Sequence, residues 1–213
     1  MPWFYYVGRF LVRITLLLLF NWQVRGRKNV PGQGPLLVVA NHLHIADPPT
    51  IGVSLGRKTR FMAKKELFQP RFISYFISGF GAFPVRRGQL DRQAIRQAEQ
   101  TLSQGLALIM FPESSRSKNA QLHPGYHGSA LIALRTGVPV LPVAITGSEK
   151  VKGATWWLRR PRLTVNIGQP FQLPAIDGKI TRKELEKMTD IIMGHIAELL
   201  PAEYRGSYAG KEN

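Results

Sequence analysis

Apolar residues fall along this chain in two rhythms, short unbroken runs and longer stretches with helical spacing. Leu36 to Ala40 (LLVVA) and Leu106 to Phe111 (LALIMF) are continuous apolar runs, the pattern of strands buried on both faces of a sheet. Ala82 to Val85 is a weaker strand candidate, and Leu163 to Ile167 predicts a further strand. Val138 to Ile145 (VPVLPVAI) is another, and its two prolines predict an edge or irregular position. Between these runs the spacing turns helical. Asp91 to Gln104 carries Ala94, Ile95, Ala98 and Leu102 and stops at Gly105, while Gly128 to Arg135 predicts a short helix ending at Gly137. Thr181 and Glu184 form a capping box ahead of Leu185, Met188, Ile192, Ile196 and Leu199 on one helical face. Alternation of this kind predicts an α/β fold, a layered mixed β-sheet with flanking helices.

The segment Trp3 to Trp22 (WFYYVGRFLVRITLLLLFNW) stands apart. As a membrane span it offers about eleven Leu, Ile, Val or Phe at roughly −0.3 to −0.6 kcal/mol each, against two central arginines at roughly +2.5 to +3.5 each. The sum is near zero or unfavourable. A helix lying in the membrane interface, with Arg9 and Arg13 reaching lipid phosphates, therefore competes with a single span. The expected organisation is a membrane-associated helix over residues 1–23 and one domain over 24–213, with its motifs between 36 and 147.

Composition sharpens this picture. The 213 residues hold 29 Lys and Arg against 13 Asp and Glu, a formal net charge of +16, and no cysteine. Such a balance calls for an anionic partner: nucleic acid, an anionic membrane or a phosphate-bearing substrate. Without cysteine there is no disulfide, no thiolate nucleophile and no Cys-based zinc site.

Three polar clusters follow three predicted strands: Asn41-His42 to Asp47, Arg86-Arg87, and Glu113 to Arg116. In open α/β sheets ligands bind in the crevice beyond the strands' carboxyl ends. His42 and Asp47 are five residues apart, which on a regular helix would turn them about 140° from each other. They meet only if the chain before Pro48 folds back, and otherwise Asp47 is simply a helix N-cap. Where they do meet, the carboxylate fixes the imidazole tautomer and leaves its second nitrogen to take a proton from a hydroxyl. Arg116 on a tight turn suits a phosphate, with Glu113 holding it or receiving a substrate hydroxyl. A rival reading takes His42, His44 and Asp47 as the start of a metal-hydrolase ligand set, though the further aspartate and histidine which that pattern needs are missing. A second rival is a nucleic-acid-binding module, suggested by aromatics beside arginines, but the chain has no recognisable nucleic-acid-binding motif.

Taken in order, the segments resemble the glycerolipid acyltransferase family, which includes the 1-acylglycerol-3-phosphate acyltransferases. The resemblance rests on Asn41-His42-x4-Asp47, GAFPVRR ending at Arg87, FPESSRS with Glu113 and Arg116, and VPVLPV from Val138 to Val143, with Lys64 at a further family position. Ser114 and Ser115 replace the family's usual Gly-Thr. The resemblance implies acyl transfer from acyl-CoA or acyl-carrier protein to a lysophospholipid hydroxyl in phospholipid biosynthesis. His42 would be the general base, oriented by Asp47. Arg87, Arg116 and Lys64 would bind the acceptor phosphate, and Glu113 would position the glycerol. It also implies no metal or redox cofactor, an enzyme held at the cytoplasmic face of a membrane by anionic lipids, and no nucleic-acid partner. The basic aromatic stretch Trp156 to Arg162 (WWLRRPR) would be a second membrane anchor.

Overall fold

The computed structural model describes residues 3–86, 91–176 and 178–210. Helix α1 (Trp3–Leu19) leads into strand β1 (Asn21–Arg25), followed by β2 (Leu36–Ala40), α2 (Asp47–Leu55), β3 (Thr59–Lys64), α3 (Arg71–Gly79) and β4 (Ala82–Val85). Then come α4 (Arg92–Ser103), β5 (Ala107–Met110), α5 (Gly128–Thr136), β6 (Val140–Thr146), β7 (Arg162–Ile167) and α6 (Arg182–Glu198). The seven strands form one mixed sheet in the order β1-β7-β6-β2-β5-β3-β4. β1 and β7 run parallel to each other and antiparallel to the rest, as the β6–β7 pairing shows.

The two continuous apolar runs occupy the centre. β2 pairs with β5 (Leu36 opposite Ala107) and with β6 (Leu37 opposite Val140), and all five of its residues are fully buried. Leu36, Val38 and Ala40 face one core with Leu16, Ile51 and Leu163; Leu37 and Val39 face the other with Leu102, Ile132 and Ile192. Each such side chain removed from water contributes about 1.5–3 kcal/mol. The crossovers β2-α2-β3 and β3-α3-β4 advance along the sheet, whereas β4-α4-β5 and β5-α5-β6 return. With right-handed connections, this puts α2 and α3 on one face and α4 and α5 on the other.

Three sequence expectations are corrected here. β6 lies between β7 and β2 rather than at an edge. Leu37 N–H donates to the Pro139 carbonyl, while Val140 exchanges both backbone bonds with Phe171, so the peptide groups of Val140 and Pro142 face away from β2. Pro142 sits just past the end of β7, where its carbonyl accepts the Gly168 N–H at 2.9 Å and its missing N–H breaks no rung of the β2 ladder. The N-terminal helix stops at Leu19, because Asn21–Arg25 pairs with Arg162–Asn166 as the edge strand. Arg9 turns inward, donating to the Arg57 carbonyl at 2.7 Å and to the Tyr5 hydroxyl at 3.2 Å. Among the described residues, no helix is long and apolar enough to cross a membrane.

Candidate active site

β2 and β5 are neighbours, yet β2 continues into α2 on one face and β5 toward α5 on the other. Such a switch point opens a crevice at the strands' carboxyl ends, and there His42 and Glu113 emerge side by side. Asn41 starts the turn. Its amide donates to the Ile145 carbonyl at 2.9 Å and accepts the Ile145 N–H at 2.8 Å, extending the β2–β6 ladder by one side-chain rung.

The chain from His42 to Ala46 is not helical, so the 140° divergence of a regular helix does not apply. Asp47 stands at the first position of α2 with Ala46 as the N-cap, and its carboxylate turns back over the loop instead of capping forward. Oδ2 lies 2.9 Å from His42 Nδ1 and accepts the N–H groups of Leu43 at 2.6 Å and His44 at 2.7 Å. Asp47 is fully buried and His42 is 6% exposed. An imidazole held this way donates from Nδ1 and presents Nε2 as its basic nitrogen. Its ring stacks on Phe111, centroids 4.2 Å apart, a contact that no spacing in the sequence signalled.

Glu113 is buried among backbone donors. Oε1 accepts the His42 N–H at 2.9 Å and Oε2 the His123 N–H at 3.0 Å, and the His42 carbonyl in turn accepts the Ser117 N–H at 2.8 Å. Thus the first and third polar clusters are one hydrogen-bonded unit. Burial pushes the Glu113 carboxyl up to about 7, opposed by its two backbone donors and aided by the charge of Asp47. Because the folded state holds this proton at pH values where the unfolded chain has lost it, the group's stabilising contribution is complete below pH ~4.5 and is lost as pH rises through about 7. Denaturant titrations from pH 5 to 7 are expected to show a falling component of up to ~1.4 kcal/mol per pH unit. A Glu113→Gln variant should lose that component.

The other expected residues are placed as follows. Arg116 is exposed and has no hydrogen-bond or ion-pair partner among the described residues. Lys64, at the carboxyl end of β3, is exposed with Glu66 at 3.8 Å. Arg87 lies outside the described residues, while its neighbour Arg86 borders the site. Ser114 takes a φ of 61°, the left-handed region that glycine adopts freely, at a cost of roughly 1–2 kcal/mol. Among the described residues, no cluster of three His, Asp or Glu side chains could hold a metal ion.

Beside the Phe111 ring runs a groove of about 440 Å³, walled largely by apolar side chains including Met62, Val85, Ile95, Met110 and Ile132, with Ser114 at its margin. The Phe111 ring thus connects a buried imidazole–carboxylate pair with an apolar groove, and Arg116 follows three residues after Glu113 in the adjoining turn.

The family profile described as Acyltransferase matches residues 21–146, more than half of the chain and the whole span from β1 to β6, and the chain belongs to that family. It is 30% identical over 199 residues to a 1-acyl-sn-glycerol-3-phosphate acyltransferase of Streptococcus pneumoniae, covering 89% of this chain and 69% of that protein. It is 36% identical over 139 residues to a lyso-ornithine lipid O-acyltransferase of Pseudomonas aeruginosa, covering 64% and 51%. The chain spans about half the length, 43% and 48%, of two chloroplast relatives from Brassica napus and Arabidopsis thaliana. Among solved structures, the 1-acyl-sn-glycerophosphate acyltransferase PlsC of Thermotoga maritima matches with a TM-score of 0.69 and 26% identity, over 92% of this chain and 79% of that one.

Proposed function

We propose that this chain moves a fatty acyl group from a thioester donor, acyl-CoA or acyl-carrier protein, to the hydroxyl of 1-acylglycerol-3-phosphate, forming phosphatidic acid in phospholipid synthesis. The observation that carries the reading is the 2.9 Å His42–Asp47 contact, buried at the switch point beside an apolar groove. His42 Nε2 takes the proton of the acceptor hydroxyl as its oxygen attacks the thioester carbonyl. The resulting tetrahedral centre collapses with cleavage of the C–S bond, and the departing thiolate takes the proton back from the imidazolium. Asp47 stabilises that imidazolium. With no cysteine in the chain, a thioester on the enzyme is ruled out and a direct transfer is the simplest path.

The apolar groove suits the acyl chain, and Arg116, with Lys64 and Arg87, the acceptor phosphate. Glu113 acts as a brace between the His42 and His123 segments, since both its oxygens already accept backbone N–H groups. The lipid substrates place the enzyme at a membrane surface, reached through the outer face of α1 and the turn after Thr155. In that turn Trp157 and Leu158 are exposed, whereas Trp156 packs on Phe20 and Arg160 holds the Leu17 carbonyl.

The test is release of free thiol from acyl-CoA by purified protein, with lysophosphatidic acid and lyso-ornithine lipid offered in parallel. Turnover of the phosphate acceptor is expected, with KM raised roughly ten- to hundredfold and kcat little changed in Arg116→Ala. Thiol release with the ornithine acceptor alone would move the acceptor class, a result that Ser114-Ser115 and the Pseudomonas relative would accommodate. No release with any pairing of thioester and lysolipid would overturn the reading.

A further inference from the structure

Helix α3 is absent from the motif blocks, and its side chains are the most poorly covered apolar group outside α1. Of RFISYFISG, Phe72 is 74% and Tyr75 63% exposed, and Ile73 and Phe76 are also exposed. A soluble surface helix would place polar groups there.

The packing of α1 against α3 makes this more than a stray patch. The Phe4 and Tyr75 rings are 5.2 Å apart. Gly8 lies so close to the Phe80 ring that a Cβ would sit 1.9 Å from it, and a Cβ on Gly79 would sit 1.7 Å from Phe4. The two glycines therefore let the helices meet; Trp3, whose ring lies edge-on to Phe4, is exposed beside them, and Phe10 of α1 is exposed too.

We propose that α3 is a second docking element which, together with α1, seats the protein in the plane of an anionic lipid bilayer. The proposal rests on the lipid-substrate reading for its purpose but is measured without turnover. Charge selects the occupant. Neither helix contains Asp or Glu, α1 exposes Arg13, α3 begins with Arg71, and Lys65 precedes it, while Arg9 is turned inward and Lys64 is paired with Glu66. A second copy would bring like charges together on this face, whereas an anionic headgroup layer complements them. Aromatic rings beside basic groups also suit the boundary between headgroups and acyl chains. Nine residues of α3 are too few to span a bilayer, so it binds lying flat.

The experiment uses the full chain with vesicles of phosphatidylcholine, with and without phosphatidylglycerol. Co-sedimentation is expected to favour the anionic vesicles and to weaken with salt, and the Phe72→Ser/Ile73→Ser variant should partition roughly tenfold less. Hydrogen exchange on the unaltered protein is a second readout, free of any folding defect in the variant. Amides of Arg71–Gly79 should gain protection on adding anionic vesicles. Equal partitioning of variant and parent, or no added protection over α3, would overturn the proposal, as would a stable dimer that the substitutions split into monomers. Vesicle binding without acyl transfer would refute the chemistry and leave the docking surface standing.

Discussion

Replacing His42 by alanine is expected to lower the rate of thiol release by about 10²–10⁴-fold, the range supplied by a positioned general base. The loss should fall on kcat, because the imidazole acts on the proton that moves in the transition state rather than on ground-state binding. Stability should fall moderately without the loop coming apart. The backbone N–H of His42 still reaches Glu113 and its carbonyl still meets Ser117, so the loop keeps its anchors. What disappears is the stack on Phe111, worth about 0.5–1.5 kcal/mol, and the Nδ1 hydrogen bond to Asp47, worth about 1–3 kcal/mol because its loss leaves a buried carboxylate with one partner fewer. A progress curve with acyl-CoA and lysophosphatidic acid, run beside a thermal melt, separates the two effects. Parental turnover in this variant would remove His42 from the chemistry.

Asp47→Ala should fail in both respects. Its Oδ2 serves the His42 ring and two backbone N–H groups. Deletion leaves the N–H donors of Leu43 and His44 without their partner, at about 1–3 kcal/mol for each that stays dry. At about 2–4 °C per kcal/mol for a chain of this size, a lower melting temperature should be plain. Asp47→Asn discriminates between the structural and chemical roles. An amide oxygen can still accept the backbone donors, so most stability should return. The negative charge that supports the imidazolium does not, and activity should remain depressed by orders of magnitude. An asparagine variant with parental activity would leave Asp47 as an organiser of the loop alone.

Much of the fold is legible in the residue pattern, and the reasons are local. The runs at 36–40 and 107–110 are strands because unbroken apolar sequence of that length belongs in the middle of a sheet, and the structure buries both there. The Thr181–Glu184 box starts α6 because its two reciprocal bonds need only residues three apart, and both bonds are present. The elements missed have non-local causes. β1 reads as the tail of an apolar helix, and only pairing with β7, more than 130 residues away, makes it a strand. β3 lacks a strong period and depends on pairing with β5, an element distant in sequence. The two prolines of 138–145 predict an edge or irregular position, and in this interior strand it is the end of β7 that makes the missing N–H of Pro142 harmless.

The site divides in the same way. By itself, the sequence determined the inventory: a histidine and an aspartate five apart, a glutamate and an arginine after an apolar run, no cysteine, and an order of motifs that marks a family. Side-chain chemistry is a property of residues, and motif spacing is a property of the chain, so both are readable in one dimension. Tertiary structure alone decided which groups meet. The irregular turn through 42–46 brings Asp47 Oδ2 to 2.9 Å from the imidazole, and the adjacency of β2 and β5 makes Glu113 a brace between backbone segments. The same folding turns Arg9 inward, lays Phe111 against His42 and leaves the face of α3 uncovered. Each of these depends on distances between residues far apart in the chain, which strand order and crossover handedness set and no local pattern encodes.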